Sequence, residues 1–412
     1  MKNNFVGKSL FFLFLIGFSN SVFAFKSSRI IVVSNPTSFR RVNEVVSIER
    51  NKLGKIKPNL FPVVTKEKMI VTTQTIDKNS DGIWDELLIQ VSLAANEKQT
   101  LQIAWVTKST QFDKFTNVHL SLRSEFNTPS PEINRAERNR GFIQDVSKPY
   151  YQMEGIGIEN DKVAFRAFFD YRNGKDIYGK IVQNPILEKV GVGATWHELQ
   201  AWGMDVFRVG KSLGAGALAV QEDMQIYRLG DANKTNFQTL YEGSLQAAFS
   251  LNFKNWDVAK DKKDGSETIS ITKGNYYYRN DISLVLNANQ NLVSGIGNFI
   301  PTNETFKKHN SKWSSISTYG NQAEGTMTKL GVAIMFSTEA FIENKKSEDS
   351  STIPNTSYVV LKPNSKENTI YFFACWEKTD SQFVTQQGFE DYLQQTADIL
   401  ANPIEVLSIK KH

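Results

Sequence analysis

From Arg29 onward the sequence is a succession of short apolar runs in which hydrophobic and polar residues alternate. That pattern constrains the fold more than any other feature. Residues 44–49 read EVVSIE, 69–75 MIVTTQT, 87–93 LLIQVSL and 102–106 QIAWV. Later runs lie at 217–220, 247–253, 283–287, 329–336, 357–361 and 369–376. Each is bounded by polar turn residues at short intervals, which predicts strands in an all-β sandwich. Only residues 385–400 read as a helix, because Phe389, Leu393 and Ala397 recur at four-residue spacing and Pro403 lies just beyond. Residues 127–140 form a polar connection with two prolines, where an internal boundary would fall. Residues 260–267 and 345–355 read as charged surface loops.

The first 24 residues look like a secretory signal peptide: Lys2 and Lys8, an apolar run from Leu10 to Phe18, then small residues ending at Ala24. The run is too short to span a bilayer, so an exported, periplasmic or secreted chain without membrane insertion is expected. The full chain carries 48 basic and 43 acidic residues; without Lys2 and Lys8 the balance is 46 against 43, or +3. So even a balance argues against a nucleic-acid partner, whose footprint is a basic face. Cys375 is the single cysteine and cannot form an intrachain disulfide. It sits in TIYFFACWEK and reads as a buried structural residue rather than a nucleophile.

Ionisable and aromatic groups concentrate between Tyr150 and Val220. Period-2 alternation over residues 162–171 places Val163, Phe165, Ala167, Phe169 and Tyr171 on one face. Arg166, Phe168, Asp170 and Arg172 then fall on the other. The same stretch holds Lys175, Asp176, Tyr178, Lys180, Trp196, His197 and Trp202, and it closes on the glycine-rich turn GKSLGAG with Lys211. We expect this stretch to wall a pocket for a polar, anionic ligand. His197 has the pKa range of a general base, although a core histidine beside Trp196 fits the same position. Trp196, Trp202 and Tyr277 (in YYYR) are candidates for stacking on a sugar or for core filling. No HxH or HExxH spacing exists, which argues against metal catalysis. Asp77, Asn79, Asp81 and Asp85 flank Gly82 in the manner of a calcium loop, but the twelfth position is Leu88 rather than glutamate. A structural calcium and a metal-free, Asx-rich turn are both open readings there.

The blocks MEGIGIENDKVAFRAFFDYRNGKDIYGK and WHELQAWGMDVFRVGKSLGAGALAV, with NPTSFRRVNEVVSI and the loop from Asp77 to Leu87, resemble an uncharacterised bacterial family, domain of unknown function family 4861. The resemblance covers nearly all of the chain after residue 24. It implies a secreted all-β protein of polysaccharide-digesting bacteria, found beside enzymes that process uronate-containing glycans. One relative is described as an oligosaccharide dehydratase acting on ulvan fragments. The expected class is therefore a single large antiparallel β-sandwich over residues 25–412, a supersandwich of galactose-mutarotase-like type, with one short C-terminal helix. The expected chemistry is uronate-directed elimination on an acidic oligosaccharide, needing no cofactor. Arg172, then Arg166, would clamp the carboxylate; His197 would be the base; Tyr178 or Lys211 the acid. Asp170, Lys180, Trp196, Trp202 and Tyr277 would line the substrate. Two other readings use the same region: glycoside hydrolysis by a pair drawn from Glu154, Asp170, Glu198 and Asp205, and glycan binding without catalysis.

Overall fold

The computed structural model describes residues 29–123, 128–145, 147–348, 350–364 and 368–411. The expected signal peptide lies outside them. These residues are all-β apart from short 3₁₀ turns and one helix, Gln386–Ala401. Its backbone is a nine-stranded antiparallel sheet running Glu304–Lys308, Trp313–Asn321, Lys329–Ser337, Asn368–Trp376, Tyr277–Leu284, Asp261–Thr272, Gln246–Val258, Lys234–Tyr241 and Arg135–Asn139. Two five-stranded sheets pack on its inner face. One, the site sheet, is ordered Gly203–Asp205, Lys175–Lys180, Val163–Phe168, Gly155–Glu159 and Asn117–His119. The other is ordered Gln225–Arg228, Ala215–Glu222, Gln290–Gly297, Thr356–Leu361 and Phe341–Lys346. A parallel bridge from Lys175 to Gly214 links the two.

Alternation explains the core between these layers. Val163, Phe165, Ala167 and Ile177 from the site sheet meet Phe249, Ile269, Tyr278 and Phe372 from the large sheet. Burying a large apolar side chain contributes roughly 1.5–3 kcal/mol, so this interface dominates the fold. The outer face of the large sheet is covered at one end by the helix, through Phe389, Leu393 and Ala397 against Ala333, Phe373 and Cys375. Thr385 caps that helix by accepting from the Gly388 N–H at 3.1 Å. Burial pushes the Cys375 thiol well above its usual range, as befits a structural cysteine.

At the other end sits a small N-terminal sandwich. Its sheets are Glu405–Lys411, Arg29–Ser34, Lys98–Val106, Phe61–Lys66, Met69–Ile70 and, facing them, Arg41–Glu49, Glu86–Leu93, Thr73–Ile76. Val33, Ile48, Leu87, Ile89 and Leu101 fill the space between.

Several boundaries differ from the sequence reading. The run 69–75 splits into two strands. The charged stretch 260–267 is not a loop but part of a long hairpin strand, Asp261–Thr272, on which Glu267 is buried against Lys175. Within the polar connection at 127–140, Arg135–Asn139 pairs with Lys234–Tyr241 as an edge strand. No helix among the described residues is long and apolar enough to cross a membrane.

Candidate functional site

The outer face of the site sheet carries the chemistry. Register places Arg166 opposite Asp176, Ala164 opposite Tyr178, and Tyr178 opposite Asp205. Four polar side chains from three adjacent strands are therefore neighbours. The strand expected to run on to Tyr171 ends at Phe168 instead. Asp170 Oδ1 accepts from the Arg172 N–H at 2.9 Å, and Asn173 takes a φ of 42°, so the chain turns there. Asp170 and Arg172 consequently do not continue the Arg166 face. Arg172 still returns to it, because its guanidinium carbon lies 4.1 Å from the Phe168 ring centre and that of Arg166 lies 4.3 Å from the same ring.

Arg166 is the buried hub. It pairs with Asp176, reaches Asp205 at 3.3 Å, and donates to the Met153 carbonyl at 3.1 Å. Burial opposes its charge, but Tyr178, Asp176 and Asp205 outweigh that and raise its pKa further. Burial raises the Asp176 carboxyl despite Arg166 beside it. Asp205 is pushed well above the usual carboxylate range, by burial and then by the neighbouring charge of Asp176. Two carboxyls against one guanidinium cannot both ionise freely, and the upward push is the stronger at Asp205. Burial likewise raises the Tyr178 phenol well above its usual value. Three buried polar atoms of this cluster have no partner among the described residues: Tyr178 Oη, Trp196 Nε1 and Arg166 Nε. Orphans of this kind are uncommon in native structures, and a convergent set marks a place where water or ligand atoms belong.

His197 stands at the rim. Its side chain is 64% exposed, and its Nδ1 lies 3.8 Å from Asp205 Oδ2. Behind it, residues 186–202 cover the sheet: Ile186, Leu187, Val190 and Trp202 pack on Met153, Ala164 and Tyr178. The Trp202 ring meets Tyr178 edge-on at 6.0 Å, and its Nε1 donates to Gln200 at 3.1 Å. Trp196 lies over Arg166 at 5.5 Å and beside His197. Met153 and Glu154 both adopt positive φ, 46° and 60°, at the edge of this cluster. Such values are costly for non-glycine residues and concentrate at functional sites.

His197, Arg166, Tyr178, Trp196, Trp202 and, through Phe168, Arg172 thus come together. The remaining expected residues take other places. Arg172 is held by Asp170 through Nε and Nη2 and by Glu154 at 2.8 Å, so its guanidinium is already neutralised. Asp170 is its partner rather than a lining group. The Lys180 ammonium is buried on Glu159 and the Asn160 carbonyl, both at 2.6 Å. It supplies no free positive potential, because Glu159 also fixes the Ile186 and Leu187 N–H groups. Lys211 is exposed in its turn, and its carbonyl accepts from Arg228. Tyr277 lies elsewhere, in a cleft on the outer face of the large sheet. Glu198 is exposed. In the Asp77 loop, Asp77 accepts from Gly82 N–H at 2.8 Å, Asn79 from Asp81 N–H, Asp81 from Ile83 N–H, and Asp85 from Lys78 N–H. These are the bonds of an Asx-rich turn. Among the described residues no group of three or more His, Cys, Asp or Glu is placed to hold a metal ion.

The sequence reading passed over a second histidine. His119 Nδ1 meets Glu132 at 3.1 Å and Nε2 meets Ser121 Oγ at 3.2 Å, the order of a nucleophilic triad. Ser121 is wholly buried, however, and donates to Gln152 at 2.8 Å, while Gln152 ties down the carbonyls of Leu187 and Val190. The set therefore positions the covering segment. Its only sequence signal was the alternation NVHLSL, which places His119 and Ser121 on one face.

A protein of Formosa agariphila named "Uncharacterized protein P7" is 22% identical over 415 residues, covering 92% of this chain and 93% of that protein. Two solved structures from Enterococcus faecalis, a glycosyl hydrolase family 38 protein and an alpha-mannosidase, align over 93% of this chain at 8% identity with TM-scores of 0.41 and 0.39. The chain spans about half the length of each, 47% and 46%. A family model matches residues 33–406, nearly the whole described sandwich, and the chain belongs to that family, Domain of unknown function (DUF4861).

Proposed function

We propose that this protein is a carbohydrate-active enzyme that carries out uronate-directed elimination at the Arg166–Asp205–His197 cluster. One observation supports the reading above others: an exposed imidazole, a buried carboxyl whose pKa is pushed up and an orphaned phenol converge around a single guanidinium. In this reaction the C5–H bond of the uronate breaks, C4=C5 forms and the C4–O bond breaks. His197 takes the C5 proton, with Asp205 behind its Nδ1 to orient the ring. The charge that develops on the uronate carboxyl is met by Arg166 and by the O–H of protonated Asp205, since a neutral carboxylic acid can donate where a carboxylate cannot. Tyr178, kept protonated, gives its proton to the departing oxygen. Its ring and hydroxyl are closed off by Trp202 and the covering segment, so productive binding lifts that segment. Arg172 acts through Glu154 and Phe168 to hold the edge of the site.

The elevated Asp205 carboxyl also suits a second reading, hydrolysis with Asp205 as general acid. Incubation with uronate-terminated oligosaccharides separates the readings. Elimination yields a conjugated, ultraviolet-absorbing end group; hydrolysis yields a new reducing end without that absorbance; unchanged sugar with measurable affinity means a binder. For elimination, His197→Ala and Tyr178→Phe each lower turnover by about 10²–10⁴-fold with the circular dichroism spectrum retained. Full turnover in both variants would remove the assignment.

A further inference from the structure

We propose that the cleft between the three-stranded N-terminal sheet and the nine-stranded sheet is a second saccharide-binding site, taking an oligosaccharide that is neutral or carries one negative charge. The cleft measures about 710 Å³ and lies on the face of the large sheet opposite the site sheet. That volume falls within the roughly 300–1,000 Å³ typical of small-molecule sites. Its floor is built by strand alternation. Tyr277, Arg279 and Asp281 project from one strand at every second residue, while Tyr278, Asn280 and Ile282 are buried in the opposite direction. Register sets Ser270, Arg279 and Tyr371 in one row across three strands.

Two features of this floor point to a ligand. Tyr371 is only 6% exposed, yet among the described residues its hydroxyl has no hydrogen-bond partner, and the same holds for the neighbouring Tyr277 hydroxyl. Both residues line the cleft, so a ligand there can pair with hydroxyls that otherwise meet only water. The charges, meanwhile, are nearly all matched within the wall. Arg41 pairs with Glu44, Lys78 with Glu86 at 2.8 Å, and Arg279 with Asp281 in a two-pronged contact. Lys273 is the remaining lining cation, set over the Phe115 ring at 3.8 Å. Such a wall offers donors and acceptors side by side together with tyrosine edges, which suits sugar hydroxyls. It offers little to an apolar ligand and too little net charge for a polyanion.

The inference shares with the reaction proposal only the premise that the ligand is a saccharide. The full chain, its Tyr371→Phe variant and its His197→Ala variant are applied to an array of defined neutral, uronate-bearing and polysulfated oligosaccharides. The expected result is binding of a neutral or singly acidic oligosaccharide that weakens on the order of tenfold in Tyr371→Phe, as for loss of one buried hydrogen bond. His197→Ala leaves that binding intact, and Tyr371→Phe leaves turnover at the other site intact. No retained oligosaccharide, retention of polysulfated chains alone, or retention indifferent to Tyr371→Phe overturns the cleft proposal. Tyr371-dependent binding without elimination sinks the reaction reading alone; elimination without such binding sinks the cleft alone.

Discussion

Asp205 carries two roles that pull in different directions, and its protonation decides between them. In the folded chain, burial and the Asp176 charge raise its pKa well above the usual range, whereas an unfolded aspartate titrates near about 4. The native state therefore binds this proton more tightly. Its stabilising contribution is complete below about pH 4 and drains away as pH rises through the raised folded value. Asp205→Asn keeps a neutral side chain at all pH values. We expect its melting temperature to fall less steeply than that of the wild type above about pH 4, with a residual slope from Asp176. Parallel slopes would mean that Asp205 is ionised beside Arg166. At this scale the sequence showed which residue types gather, but not who pairs with whom. Arg172 was the expected clamp, yet Asp170 two residues away and Glu154 on a neighbouring segment occupy it. Lys180 was expected to lend charge, and Glu159 absorbs it. Pairing depends on register and on turn geometry, neither of which a single strand pattern reveals.

Elements were far more legible, because alternation is a direct consequence of the pleat. Residues 329–336, 357–361 and 369–376 match observed strands almost to the residue. The helix predicted over 385–400 is Gln386–Ala401. The misreading at 162–171 is instructive. Both faces of Val163–Phe168 are buried, the polar one roofed by residues 186–202, and the strand stops before the turn at Asp170. An irregular roof leaves no periodic trace. Helix docking shows how closely elements fit once formed. A Cβ on Gly331 would stand 2.6 Å from Phe389 Cδ2, so Gly331→Ala must push the helix off the sheet or force Phe389 into a poor rotamer. We expect a loss of about 1–3 kcal/mol in denaturant unfolding. Pairing it with Phe389→Leu should recover part of that loss, the signature of two residues in direct contact. Additive losses would show that the helix yields elsewhere.

Across the whole molecule, the two proposed sites sit on opposite sides of the nine-stranded sheet, and the second exists only because the N-terminal sandwich docks beside it. That docking joins residues far apart in the chain, so no local pattern announces it. Gln74 makes the join: its Oε1 accepts from the Leu245 and Gln246 N–H groups at 2.8 and 2.9 Å, and its Nε2 donates to the Gln246 carbonyl at 2.8 Å. Gly243 is required alongside, since a Cβ there would lie 2.7 Å from the Gln74 amide carbon. Ser244 adds a bond to the Thr73 carbonyl at 3.0 Å. Removing the amide in Gln74→Ala strands two buried donors and one acceptor, at about 1–3 kcal/mol for each group that stays dry. Local opening relieves that cost by letting water into the join. Amide hydrogen exchange should then accelerate at Leu245 and Gln246 while the strands buried between the large sheet and the site sheet keep their protection. Unchanged exchange at both positions would mean that the sandwich is held by its apolar contacts, Ile76 and Leu88 against Leu245, and that the cleft survives without this glutamine.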